Sequence, residues 1–281
     1  MKDLVVGIDF SEGSINALEH ALSIAQKLKS NIAMVHVFNP GSTHRTIYKY
    51  SDPVDEATKL LEELVARYQP LLPQGSITFK IREGKIYKEI AAEANDRKAV
   101  YIVIGTHGSS GFEELWAGSN AYKIISYSKC PVITLREGVK AERTLTRIIL
   151  PIDATISSRQ KVPYASNMAK LFDAEVHVLA LYHTSVKDIQ NTVLDYAKQA
   201  CEFFEKHQIN FVLKSVRTKN VTDATIDYAN KVDANLIIIM TEQVSSPSNL
   251  ILGPYSLQMI SRSPMPVMSV QPKELMKVLS R

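Results

Sequence analysis

The sequence predicts an α/β protein made of two tandem doubly wound domains, each a five-stranded parallel sheet with helices on both faces. Three observations predict it. Short apolar runs that fit buried parallel strands alternate with segments whose apolar residues recur at helical spacing. Strand and helix alternate five times over roughly the first 135 residues, the pattern of a doubly wound sheet. The pattern then restarts, and the restart matches the first round residue by residue.

In chain order, Leu4 to Ile8 reads as a buried strand ending at Asp9. Ser11-Glu12-Gly13-Ser14 leads into a helix with Ile15, Leu18, Leu22, Ala25 and Leu28 along one face. Ile32 to Phe38 is the second strand, broken by Asn39-Pro40-Gly41. A polar loop to about Ser51 precedes a helix carrying Leu60, Leu61, Leu64 and Val65, which Pro70 and Pro73 end. Ile77, Phe79 and Ile81 alternate as a third strand, and Ile86 to Asn95 is helical. Val100 to Ile104 is the fourth strand; a glycine-punctuated loop and a helix follow, and Pro131 to Leu135 is the fifth.

Arg136 to Thr146 is charged and reads as a linker. Beyond it, Ile152-Asp153 matches Ile8-Asp9 at an offset of 144, and Ser158, Ala165 and Ala169 match Ser14, Ala21 and Ala25 at that offset. Later the offset is 135: Ile237-Ile238-Ile239 matches Ile102-Val103-Ile104, Gly253 matches Gly118, and Pro266-Val267 matches Pro131-Val132. The nine-residue difference is a deletion in the middle of the second copy. The expected layout is a domain over 1–136, a linker over 137–146, a second domain over 147–272 and a tail over 273–281, helical or frayed.

Composition bounds the function. A hydrophobic content of 45% with 22% charged residues belongs to an ordinary globular chain. A net charge of +4 over 281 residues, with no basic run, argues against nucleic acid as a partner. Cys130 and Cys201 are isolated, which favours a reducing compartment, and Cys130 at the head of a buried strand reads as an inert core thiol. The strand-like start is unlike a signal peptide, and no apolar run has the length of a membrane span. The expectation is a cytoplasmic protein without a membrane partner.

The chemistry concentrates at Gly105-Thr106-His107-Gly108 and, nine residues on, Gly118-Ser119. The order strand, glycine loop, helix N-terminus lets backbone approach a ligand closely and aims free N–H groups at an anion. It has neither the Gly-Lys-Ser/Thr of a P-loop nor the tight spacing of the dinucleotide fingerprint. An ordinary βα loop with Ser119 as a plain cap accounts equally well for the spacing alone.

The motif G-x2-G-x9-G-(S/T), a first strand ending in Asp, the S-x-x-S helix entry and the closing Cys130-Pro131-Val132-Ile133 together resemble the universal stress protein family, over the whole chain as two such domains. The resemblance implies a strand order of 3-2-1-4-5 and an ATP-binding site at the topological switch point. It implies Asp9 near the adenosine portion, Val37 as the apolar residue ending strand two, Ile104 and Gly105 at the end of strand four, and Gly108, Gly118 and Ser119 on the phosphates. Asn120 stands where the family often has a small or β-branched residue. The implied ligand is an adenine nucleotide: ATP, or ADP or AMP in its place, with or without Mg²⁺. An intrachain pseudo-dimer of the two domains, pairing the fifth strands Val132 to Leu135 and Val267 to Val270, and further homo-oligomerisation are also implied.

The second copy departs at the cradle. Met240 and Gln243 stand for Gly105 and Gly108, adding bulk beside the phosphates, and Pro254 stands for Ser119, removing a donor. The expectation is one nucleotide per chain, in the first domain. No paired carboxylate, arginine finger or positioned base is legible, so a regulatory stress-response module leads. A slow ATPase or nucleotide transferase using Asp9 and His107, and a partner-binding scaffold without nucleotide, stay open. His36 and His177 lack metal spacing, Trp116 either packs or covers the ligand, and Ser42 to Tyr50 is an exposed loop or a lid.

Overall fold

Each expected buried run forms a strand, and the strands join into one sheet. The computed structural model describes residues 2–38, 53–106, 119–136, 138, 144–182, 184–241, 243–246 and 249–272. The first half comprises β1 (Asp3–Gly7), α1 (Glu12–Leu28), β2 (Asn31–Phe38), α2 (Pro53–Tyr68), β3 (Ile77–Glu83), α3 (Ile86–Asp96), β4 (Tyr101–Gly105), α4 (Ser119–Tyr127) and β5 (Val132–Leu135). The second comprises β6 (Arg147–Ile152), α5 (Val162–Phe172), β7 (Glu175–Tyr182), α6 (Lys187–Lys206), β8 (Phe211–Arg217), α7 (Val221–Lys231), β9 (Leu236–Met240), the hairpin β10 (Gln243–Ser246) and β11 (Asn249–Leu252), α8 (Pro254–Arg262) and β12 (Val267–Val270).

The sheet order is β3-β2-β1-β4-β5-β12-β9-β6-β7-β8, so each half has the order 3-2-1-4-5 in its own numbering. Within each half the pairs of this sheet are parallel, whereas the separate β10–β11 pair is antiparallel. Among the described residues the one reversal in this sheet is between halves: β5 and β12 pair antiparallel, with Met268 opposite Ile133 and Val267 opposite Thr134. This pairing leaves neither fifth strand as an open edge.

Wholly apolar strands need cover on both faces. Leu4 and Val6 join one core with residues of α1, α2, α5 and α6, whereas Val5, pointing the other way, joins a second core with residues of α3, α4, α7 and α8. Each core contains residues of both halves.

The repeat extends to backbone conformation. Lys29 and Asp173, at an offset of 144, both end a helix in the left-handed region (φ 52 and 55). Lys98 and Asp233, at an offset of 135, do the same just past α3 and α7 (φ 51 and 48).

Two features were not legible. The start of the second half's first helix is a 3₁₀ segment, Ile156–Lys161, and the glycine loop is replaced by the β10–β11 hairpin. Of the expected linker, Gly138 and residues 144–146 are described. The tail over 273–281 and the loop from Ser42 to Tyr50 lie outside the described residues.

Candidate functional site

Four of the first-half candidates, Asp9, Val37, Ile104 and Gly105, lie at the carboxyl edge of the sheet. Gly7 lies opposite Val35, and the Ile8 N–H donates to the Val35 carbonyl at 2.9 Å. Val6 lies opposite Val103 on the other side. Continuing that register brings Asp9 level with Val37 at the end of β2 and with the residues just beyond Ile104 and Gly105 at the end of β4. Ser119 opens α4, and Asn120 beside it is exposed. Gly108, Gly118, His107 and Trp116 lie outside the described residues.

Asp9 organises a turn. Its Oδ1 accepts from the Ser11 N–H at 3.1 Å and from the Ser11 hydroxyl at 2.5 Å. The Ser11 Oγ in turn accepts from the Ser14 N–H at 3.2 Å and caps α1, while the Asp9 N–H donates to the Ser14 Oγ at 3.4 Å. The second half repeats this: the Asp153 Oδ1 accepts from the Thr155 N–H and hydroxyl at 2.8 and 2.6 Å, and the Asp153 N–H donates to the Ser158 Oγ at 3.1 Å. The strand-one aspartate therefore has a structural task in both halves.

The halves differ around that turn. A Cβ placed on Gly105 would stand 2.9 Å from the carbonyl carbon and 3.0 Å from the carbonyl oxygen of Gly13, in the first turn of α1. The end of β4 and the start of α1 thus meet backbone to backbone, a contact that requires glycine at 105. The second half has Met240 and Ser157 at these two positions, and its chain begins as the 3₁₀ segment there.

Lys161 is the residue that sequence reading missed. It stands where the first half has the buried Ala17, and it is itself only 3% exposed. Its ammonium donates to the Ser158 Oγ at 3.2 Å and has no carboxylate within salt-bridge distance among the described residues. Burial lowers its pKa to about 8, opposed by the charge of Asp153. The offset of 144 that pairs Ala17 with Lys161 was the available signal.

Phe10 and His36 were also missed as a pair. Phe10 adopts φ 64, a left-handed conformation unusual for a bulky residue, and its ring lies 4.9 Å from that of His36. The His36 Nδ1 lies 2.9 Å from the Ile8 carbonyl oxygen. Burial lowers the His36 pKa, with the Ile8 hydrogen bond and the Asp9 charge opposing it. Beside α4, a cleft of about 250 Å³ is lined by Lys85, Ile86, Tyr87, Asn120 and Lys123.

No group of three or more His, Cys, Asp or Glu side chains that could hold a metal occurs among the described residues. Burial pushes the Cys130 and Cys201 thiols up to about 11, which keeps them protonated. Among the described residues, no helix is long and apolar enough to cross a membrane.

Fold and site together define a tandem α/β protein with two switch points, the first half carrying Gly105 and Ala17 where the second carries Met240 and the buried Lys161. The model of the universal stress protein family matches residues 1–136 and again 144–271. The chain belongs to this family as a tandem two-domain member. A universal stress protein of Methanocaldococcus jannaschii is 26% identical over 148 residues, spanning 50% of this chain and 84% of the relative. Universal stress protein YxiE of Bacillus subtilis is 26% identical over 146 residues, 47% of this chain and 97% of the relative. Among solved structures, a universal stress protein from Archaeoglobus fulgidus superposes with a TM-score of 0.76 at 20% identity, covering 96% of this chain and 98% of that one. That likeness bears on the fold.

Proposed function

We propose that the chain is a non-catalytic regulatory stress-response module of the cytoplasm that binds one adenine nucleotide, ATP or else ADP or AMP, in its first half. The observation that carries this reading is the contrast at the carboxyl edge. The first switch point carries Gly105 and Ala17, whereas Met240 and the buried Lys161 stand at the equivalent positions in the second. In the first half Asp9, Val37, Ile104 and Gly105 border the base and sugar, and Gly108, Gly118, Ser119 and Asn120 border the phosphates. Mg²⁺ accompanies the phosphates if it is present.

The domain limits proposed are 1–136 and 147–272, with 137–146 between them. The β5–β12 pairing supports reading the two halves as an intrachain pseudo-dimer, the counterpart of two single-domain copies meeting at their fifth strands. Further self-association would use other surfaces.

The test is direct. The purified protein is denatured and the released small molecules are identified by mass spectrometry, followed by calorimetry of the stripped protein with ATP, ADP and AMP. One equivalent of adenine nucleotide is expected. Absence of both co-purified and titratable nucleotide sinks the reading, and steady-state turnover of ATP with Mg²⁺ would replace the module by an enzyme.

A further inference from the structure

Helix α3 carries three acids, and all three turn to one guanidinium. Arg82 bonds Glu93, meets the Glu89 Oε2 at 3.3 Å and meets the Asp96 Oδ2 at 3.0 Å. Glu93 is held further by the Arg97 Nε at 2.6 Å and the Lys80 Nζ at 3.2 Å. The acids of α3 are thereby committed to the side facing β3. On the side facing α4 the helix keeps Lys85 and Lys88 as its charges. Lys123 on α4 and Lys129 just beyond it lie across from them. These four lysines are exposed, and none makes an ion pair among the described residues.

Between the two helices lie two clefts. The one described above, about 250 Å³, holds Lys85 and Lys123. The second, about 240 Å³, holds Lys88, Ala91, Ala92, Asn95, Tyr127 and Lys129. Tyr87 and Tyr127 meet at a tilt of 58° with ring centroids 4.8 Å apart, and the Lys123 ammonium lies 5.6 Å from the Tyr87 centroid. Tyr127 is 49% exposed, a large aromatic surface left to solvent beside lysines that make no ion pair among the described residues.

We propose that the α3–α4 groove docks an acidic segment of a partner protein. The groove offers positive charge at both ends and an apolar, aromatic middle, which complements a segment alternating Asp or Glu with apolar residues. From Lys85 to Asn95 the wall is about 15 Å long, the reach of about five extended residues or ten helical ones. A nucleic acid would need a longer phosphate track and favours arginine forks; here there are four lysines, no arginine, and a net charge of +4. The proposal does not depend on the nucleotide reading, although Asn120 borders both features.

The probe is a fluorescein-labelled decapeptide of glutamates with leucine at every third position, titrated into the full chain at low and moderate salt. Its counterpart with lysine for glutamate, a twenty-nucleotide single strand and vesicles with phosphatidylserine are the controls. Saturable binding of the glutamate peptide alone, weakened by salt and at least tenfold weaker in Lys88→Glu/Lys129→Glu, is expected. Tyr127→Ala should weaken it several-fold at unchanged salt dependence. Both changes are at exposed positions, and unchanged thermal melting confirms that the variants fold. Lys88→Glu/Lys129→Glu should leave ATP calorimetry as it is in the parent, which separates this groove from the cradle. No saturable peptide binding, binding indifferent to the substitutions, or tighter binding of the oligonucleotide or vesicles overturns the proposal.

Discussion

Gly105 and Gly13 meet backbone to backbone, so that a Cβ on Gly105 would lie 2.9 Å from the Gly13 carbonyl carbon. A contact that close involves main chain on both sides and cannot be relieved by turning a rotamer. Gly105→Val should therefore cost about 1–3 kcal/mol of stability through overpacking. Urea unfolding should show a lower midpoint with an unchanged slope. Full stability in this variant would mean that the end of β4 can move away from α1 freely.

Asp9 and Asp153 hold equivalent turns, which makes them a matched pair for testing which half binds nucleotide. Asp9→Ala and Asp153→Ala should each lose about 0.5–2 kcal/mol by removing the side chain that orders the turn before the first helix. Only Asp9→Ala should weaken ATP in calorimetry. Equal weakening by both, or two equivalent sites in the parent, would count against a single site per chain.

His20 is buried in α1 with neither ring nitrogen hydrogen-bonded among the described residues, and burial lowers its pKa to about 4. The unfolded chain, with an ordinary histidine near 6.5, binds the proton more tightly than the folded one. Stability is thus complete above pH 6.5 and declines as pH falls from 6.5 to about 4, by about 3 kcal/mol in all. His20→Leu should flatten that limb and be no less stable than the parent at pH 7. An unchanged slope between pH 6.5 and 4 would show that His20 can charge in place.

Lys161 gives the complementary slope at high pH. Its folded pKa of about 8 lies below the ordinary 10.5, so the unfolded chain again holds the proton more tightly. Stability should rise by about 3 kcal/mol as pH climbs from 8 to 10.5, and the charged ammonium is a liability below pH 8. Lys161→Met should stabilise the chain at pH 7 and remove the alkaline rise. Destabilisation at pH 7 would show that the ammonium is better compensated than its single bond to Ser158 implies.

Glu93 ties β3 and α3 to β1, since Arg97 also reaches the Asp3 Oδ2 at 3.3 Å. Burial works against its charge, but hydrogen bonds from Arg97, Arg82 and Lys80 outweigh it and hold the pKa at about 2. Its stabilisation is present above about pH 4.5 and is lost as pH falls towards 2, a window that begins where that of His20 ends. Glu93→Gln leaves three cations short of a partner and should cost about 3 kcal/mol in urea unfolding at pH 7. A loss under 1 kcal/mol would show that Glu89, Asp96 and solvent compensate.

By itself the sequence determined the alternation of strand and helix, the two repeats with their offsets of 144 and 135, and the contrast between Gly105 and Met240. These follow from local information: apolar periodicity says which faces are buried, and small or capping residues mark where the chain turns. It also paired Asp9 with Asp153, though not their shared task of ordering the turn before the first helix. Only the tertiary structure decided that Gly105 faces Gly13, that Lys161 is buried where Ala17 lies in the first half, and that the three acids of α3 converge on Arg82. It likewise decided the hairpin in place of the second glycine loop and the register of β5 against β12, bringing Thr134 opposite Val267 across 133 residues of chain. The repeat pointed to the fifth strands as partners, but register and side-chain meetings are set by closing a sheet edge and filling space between distant segments, which no pattern of neighbours along the chain encodes.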